Sequence, residues 1–239
     1  MEATRFHVFT PRELIGIGLG LPPANAPGAG WSYSNTNYVI LGLLIKKLTG
    51  HPYAEEISRR ILRPLGLRDT YFPGRELRIR GPHLDAYMIW SDGRFRDLSV
   101  YSSTWADAAG EMVSTAADVN HFYRSLLTGR LLRPALMAQM QTTVPMVPDA
   151  PEVAGYGLGI YWLAQPCGRF WGHTGGVVGQ TTSSFHSPDG NRQITEADNL
   201  FPNPNPAINQ ALNVFMQTAA CGSAAPPNPA LTRALATID

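Results

Sequence analysis

The period of the hydrophobic residues changes once along this chain, and that change limits the fold more than any other feature. Before Tyr156 the apolar residues recur at helical spacing, as in Val39, Ile40, Leu43, Leu44 and Leu48. After it, short β-branched and aromatic stretches are separated by turn residues. A repeat of 3.6 residues builds one stripe of a helix and a repeat of two builds one face of a strand, so neither pattern substitutes for the other. Helices come first, then a meander of antiparallel strands, then a helix able to cover the sheet. The fold class is therefore α+β or mixed α/β.

Local signals set the expected boundaries. Thr10 as N-cap and Pro11 at the first helical position predict a helix from Pro11 to Gly18. Trp31-Ser32-Tyr33-Ser34-Asn35 leads into the apolar run, which Gly50 closes as a C-cap. A helix over Tyr53 to Leu62 is expected to end at Arg63-Pro64, because the residue before a proline disfavours helix. Residues 72–110 read as loop. Thr115-Ala116-Ala117-Asp118 resembles a capping box opening a helix to about Leu127, and Pro134 to Gln141 reads as another helix. Strands are expected over Tyr156–Leu163, Phe170–His173, Gln180–Ser187 and Gln193–Ala197, with Ser187-Pro188-Asp189-Gly190 as a hairpin turn. Glu196 and Asp198 stand where a buried strand is apolar, so that strand is expected at an edge or frayed. Ala207 to Ala220 reads as a helix. The Pro-, Ala- and Ser-rich residues 222–239 read as a mobile tail. The expected organisation is a helical and loop-rich region over 1–155, strands and a last helix over 156–221, and the tail, together one incomplete domain.

Composition excludes several functions. Nineteen basic residues against 18 acidic leave a net charge of +1, with no basic cluster of the kind that phosphate contacts need, so nucleic acid is not an expected partner. No apolar run approaches the roughly 18 residues of a membrane-spanning helix. The first residues, Met1-Glu2-Ala3-Thr4-Arg5, do not read as a signal peptide, which predicts a cytoplasmic chain if this start is real. Lys46 and Lys47 are the only lysines, a bias typical of GC-rich coding. Cys167 and Cys221 lie too far apart for a redox or zinc pattern; they are either two buried thiols or one disulfide. The six histidines show no metal-ligand spacing, and no phosphate loop or dinucleotide fingerprint is present, so neither a metal nor a cofactor is expected.

Two short motifs carry potential chemistry. Tyr33-Ser34-Asn35 sits where a loop enters a helix. A tyrosine hydroxyl can relay protons and an asparagine amide can orient a carbonyl; equally, Ser34 or Asn35 can be a helix cap and Tyr33 packing. His173-Thr174-Gly175-Gly176 ends a strand. A strand can bind an extended ligand along its edge and a threonine hydroxyl can bind a carboxylate; equally, the run can be a strand followed by a Gly-rich turn.

In this order, with helices between them and strands after, the two motifs match the second and third signatures of the penicillin-recognising serine hydrolases. The chain resembles the serine D-alanyl-D-alanine carboxypeptidase and class C β-lactamase family, with the secreted Streptomyces-type carboxypeptidases as its nearest members. Asn25-Ala26-Pro27-Gly28, Tyr33-Ser34-Asn35-Thr36-Asn37-Tyr38, Lys47-Leu48-Thr49-Gly50-His51, Tyr156-Gly157-Leu158-Gly159 and Gly172-His173-Thr174-Gly175 carry the likeness, which runs from about Phe9 to Cys221. It implies acylation of a serine by a D-Ala-D-Ala peptide or a β-lactam, then hydrolysis of the acyl-enzyme. Tyr33 would move protons between nucleophile and leaving group, and Asn35 would hold the substrate amide. His173, Thr174 and Gly175 would line the carboxylate end, and Trp105 would border the site. Cys167 and Cys221 fall where the Streptomyces-type members have a disulfide. The resemblance also implies an extracellular protein.

The departures matter as much. The family nucleophile lies in a Ser-x-x-Lys motif well upstream of the Tyr-x-Asn. Here Leu43 and Leu44 stand three residues before the only lysines, so no such motif exists in this sequence. Too few residues precede Tyr33 to hold the nucleophile helix and the first strands. Relatives that favour peptide carboxylates can carry an Arg in the strand before the third motif, where this chain has Tyr161 and Trp162; Gly176 also replaces a hydroxyl residue of some relatives. The expectation is a chain that is inactive by itself, with a stem-peptide-binding remnant or an esterase as alternatives, and an exposed sheet edge open to self-association.

Overall fold

A computed structural model describes residues 4–90, 92–223, 225–226 and 228–237. It divides into two compact units, Met1–Asp85 with Asp97–Asp118, and Ala86–Arg96 with Val119–Asp239.

The first unit is helical. Helix α1 spans Pro11–Leu19, with Thr10 and Glu13 completing a capping box: Glu13 N–H donates to Thr10 Oγ1 at 3.3 Å and Thr10 N–H to Glu13 Oε2 at 2.6 Å. Helix α2 runs over Asn35–Thr49 and ends on Gly50, whose φ of 80° is the left-handed cap expected of glycine. A side chain at Gly42 would meet Ala108 Cβ at 2.8 Å and the Tyr53 ring at 3.1 Å, so glycine lets α2 approach both.

The next helix does not stop before Pro64. It passes from α3 (Tyr53–Ile57) through a π-helical turn, Ser58–Leu62, into α4 (Arg63–Leu65) and ends on Gly66. The wider π turn relaxes the clash between a proline ring and the carbonyl four residues back, so the proline is carried inside the helix. Within residues 72–110, read as loop, lie two 3₁₀ turns, Ser103–Trp105 and Asp107–Ala109. Helix α5 spans Ala116–Leu127; only its first turn lies in this unit, and from Val119 it belongs to the second. Its capping box is half made: Asp118 N–H donates to Thr115 Oγ1 at 3.2 Å, but the Asp118 carboxylate accepts from Asp69 N and Thr70 Oγ1.

The second unit holds the sheet. A hairpin of β1 (Tyr87–Ile89) and β2 (Phe95–Asp97) turns at Gly93, with φ 76°. Residues 72–110 read as loop, yet strands pair on either side of Asp92-Gly93, a strong hairpin dipeptide. Six further strands, β3 (Val144–Pro145), β4 (Ala154–Tyr156), β5 (Tyr161–Gln165), β6 (Gly168–Val177), β7 (Gln180–His186) and β8 (Gln193–Asp198), form one antiparallel meander in sequence order. β8 stands at one end of it, as the charges of Glu196 and Asp198 suggested.

Two strand boundaries differ from the sequence reading. Tyr156–Leu163 is not one strand: Gly157-Leu158-Gly159 turns the chain, Gly159 has φ 80°, and Tyr156 pairs with Tyr161. β6 does not end at His173, because β7 keeps pairing with it as far as Val177–Gln180. The sheet buries Ile160, Trp162 and Trp171 against Tyr123 and Leu126 of α5 and Met137 of α6 (Pro134–Met140). Helix α7 (Pro206–Cys221) lies beside β5 and β8. The residues read as a mobile tail contain helix α8 (Pro229–Leu235), where the Asn228 side chain caps Ala230 N and Ala234 is buried. Asn-Pro there supplies an N-cap and a first-turn proline, a local signal that outweighs composition.

Candidate active site

In the first unit, Tyr33 and Ser34 bring an extended backbone into α2. Ser34 occupies the N-cap position and makes no side-chain cap hydrogen bond, while Asn35 opens the helix and is exposed. Capping therefore does not consume the polar side chains of this motif. Tyr33 is half-buried, its ring 5.8 Å from that of Tyr38. Burial, and secondarily Tyr38, push its phenol up to about 12, so it is neutral at physiological pH. Trp105 is half-buried at the end of its 3₁₀ turn. Beyond it, Asp107 is the only non-glycine described residue with positive φ, 44°. The Tyr53 hydroxyl donates to Glu111, and burial raises the Glu111 and Asp107 carboxyls above their ordinary range. No local pattern signals this cluster, because its members are brought together only by the approach of helix and turn.

In the second unit, His173, Thr174 and Gly175 lie inside β6. Glycine is needed just before them: a Cβ at Gly172 would sit 1.7 Å from the Ser184 carbonyl oxygen of β7. β5 pairs with β6 only as far as Tyr161–Gly172, whereas β7 continues to Val177. Residues 173–177 of β6 thus overhang the end of β5. Two tyrosines hold the overhang. Tyr156 Oη is 3.1 Å from His173 Nε2, and the Tyr161 hydroxyl donates to Thr174 Oγ1 at 3.2 Å. His173 Nδ1 contacts the Thr174 carbonyl oxygen at 2.5 Å. Burial lowers the His173 pKa, with the Thr174 carbonyl opposing. In the sequence, Tyr156 belongs only to a stretch that resembles the family and Tyr161 only to a departure from it. Their contacts follow from strand register, which no local pattern records.

Cys167 and Cys221 are joined in a disulfide, with Cα atoms 5.5 Å apart. It ties the β5–β6 turn to the end of α7. Among the described residues no group of three or more His, Cys, Asp or Glu is placed to hold a metal ion, and no helix is long and apolar enough to cross a membrane.

Known proteins share this architecture. A D-stereospecific amidohydrolase from Streptomyces superposes with a TM-score of 0.85 at 35% identity, covering 93% of this chain and 64% of that one. An octameric penicillin-binding protein homologue from Pyrococcus abyssi gives 0.71 at 25% identity, over 88% and 48%. In sequence, penicillin-binding protein 4* of Bacillus subtilis is 26% identical over 75% of this chain and 42% of its own length. A putative D-alanyl-D-alanine carboxypeptidase of Escherichia coli is 25% identical over 62% and 41%. The chain thus spans about two fifths of the curated relatives it matches. Its helices and antiparallel sheet are those of the penicillin-binding-protein-like serine hydrolases. The family described as Beta-lactamase matches residues 2–214, and the chain belongs to that family.

Proposed function

We propose that this chain is part of a serine hydrolase acting on D-Ala-D-Ala peptides or β-lactams by acyl transfer, that the Tyr-Ser-Asn motif of the first unit and the His-Thr-Gly motif of the second each serve that chemistry, and that these 239 residues by themselves do not turn substrate over. The observation that carries the binding half is the overhang of β6. Beyond Gly172 the β5 side of this strand has no partner strand among the described residues, the arrangement by which a sheet takes up an extended peptide. Thr174 offers a hydroxyl to the carboxylate end of the peptide. Asn35, exposed at the start of α2, offers its amide to the substrate carbonyl. Trp105 supplies an apolar border.

The inactivity half rests on chemistry. An acyl-enzyme needs a nucleophile activated by a neighbouring base. No Ser-x-x-Lys exists in this sequence, and Tyr33, held neutral by burial, does not act as a base at physiological pH. Amide or ester hydrolysis on the same scaffold is a second reading. It is favoured by Tyr161 and Trp162, which leave no cation in the strand where carboxylate-preferring relatives can carry one. The similar Streptomyces protein, a D-stereospecific amidohydrolase, supports this reading. The disulfide fits an extracellular protein, since such bonds persist in oxidising compartments. Self-association is expected through surface the chain leaves uncovered, the end of the sheet at β8 and the exposed apolar residues of α2.

The binding half is tested by thermal denaturation with millimolar N-acetyl-D-alanyl-D-alanine. The peptide should raise Tm of the native chain and leave that of Thr174→Val unchanged. No shift for the native chain, or equal shifts for both, would contradict it.

A further inference from the structure

The contacts around His173 assign its proton. The Thr174 carbonyl oxygen can only accept, so Nδ1 carries the hydrogen of that contact. With Nδ1 protonated in a neutral ring, Nε2 is an acceptor, and the Tyr156 hydroxyl donates to it. Neither nitrogen is left to donate to a ligand. Thr174 is arranged the opposite way. Its oxygen accepts from Tyr161, which commits a lone pair and leaves the threonine hydrogen to be donated elsewhere.

We propose that Tyr156 and Tyr161 are positioning residues: Tyr156 locks His173 in its neutral Nδ1–H tautomer, and Tyr161 makes the Thr174 hydroxyl the donor that meets the acceptor end of a ligand. This rests on the reading of β6 as the ligand strand, and it changes the part His173 plays there. The histidine shapes the strand rather than supplying a charge.

The surroundings support a neutral ring. Among the described residues, Tyr156 from β4 and Tyr161 from β5 pack their rings on it, with centroids 5.8 and 5.0 Å from its own. Across the ladder its β7 partner is Ser184, which carries no charge. Tyr156 and Tyr161 are both almost fully buried, so the two donors are held in place by packing. A site built this way binds through a hydroxyl and not through an imidazolium. Its affinity for an acetylated D-Ala-D-Ala dipeptide should therefore not rise as the pH falls through the ordinary histidine range.

The test is NMR of the full chain, uniformly labelled with nitrogen-15. His173 should show a protonated Nδ1 and an unprotonated Nε2, and remain neutral below the ordinary histidine pKa of about 6.5. Tyr156→Phe removes the donor to Nε2 and should raise the His173 pKa by about one pH unit, while Tyr161→Phe leaves the tautomer in place. A wild-type His173 protonated on Nε2, or titrating at its ordinary pH, overturns the proposal without recourse to any variant. N-acetyl-D-alanyl-D-alanine is then added. Perturbation of the Thr174 resonance with His173 still neutral is the expected result, and protonation of His173 on binding overturns the proposal. If the peptide does not bind, the reading of β6 as a ligand strand fails, and the tautomer measurement still decides the role of Tyr156.

Discussion

His186 shows how far a single residue can depart from its solution chemistry in this fold. It has no solvent exposure, stacks on Tyr123 at 4.6 Å, and shares a hydrogen bond of 2.9 Å with Ser184 Oγ. Ser184 continues to Thr195 at 2.6 Å, and Thr195 to Asn120 of α5 at 2.7 Å, so one buried polar chain ties β7, β8 and helix together. The other ring nitrogen, Nδ1, has no hydrogen-bond partner among the described residues. Burial lowers the pKa to about 4. The unfolded chain therefore takes up a proton near 6.5 that the folded chain refuses until about 4. Stability should be full above the unfolded pKa and fall through that window as the solution is acidified, by about 3 kcal/mol for this group. Glu196 and Asp198, whose carboxyls burial raises, act in the opposite sense, so the measurement is a difference: urea denaturation of the native chain against His186→Asn from pH 7 to 4. The native curve should drop more steeply; parallel curves would contradict the assignment. None of this was legible in the sequence, where His186 was one of six histidines. A polar residue in a β-strand discloses its burial only when the partner strands and the covering helix are known.

At the scale of elements, the sequence was informative wherever a local cause decides. The Thr10 cap, the Gly50 terminator, the Ser187-Pro188-Asp189-Gly190 turn and helix α7 all fall where propensity and capping place them. It failed where a neighbour decides. Pro64 is carried by a π turn, β6 is prolonged by its pairing with β7, and Tyr156–Leu163 is divided by glycines lying between residues that look uniformly strand-like. The cysteines are an intermediate case. Their positions allowed a bond or two thiols, and only the approach of the β5–β6 turn to α7 brings them together. The bond closes a separation of 54 residues, for which restriction of the unfolded chain amounts to about 4 kcal/mol. Cys167→Ser with Cys221→Ser should lower stability by about that amount, and reductant should lower Tm of the native chain to match. Equal melting with and without reductant would show that the bond contributes nothing.

The whole molecule is a family member with an unusual surface. Of the apolar residues of α2 only Val39 and Gly42 are buried, while Ile40, Leu41, Leu44 and Leu48 are exposed, Leu48 by 76%. Ile208, Val214 and Phe215 of α7 are exposed as well. A helix apolar all round is normally covered by other protein. Sedimentation should therefore show association that rises with concentration and weakens in the Leu41→Gln, Leu48→Gln double variant. A monomer at all concentrations with a sharp cooperative melt would contradict this. The sequence hinted at such a surface through its evenly apolar helix, but exposure is a property of the folded chain.

The proposed reading gives Tyr33 the proton relay, Asn35 the substrate amide and β6 the ligand, while the sequence contains no Ser-x-x-Lys. The most direct measurement is turnover of a chromogenic cephalosporin and of a D-Ala-D-Ala peptide by the purified 239-residue chain. No hydrolysis above the buffer rate and no covalent acyl adduct in the mass spectrum are expected. Hydrolysis that disappears in Tyr33→Phe would show a nucleophile within these residues and contradict it.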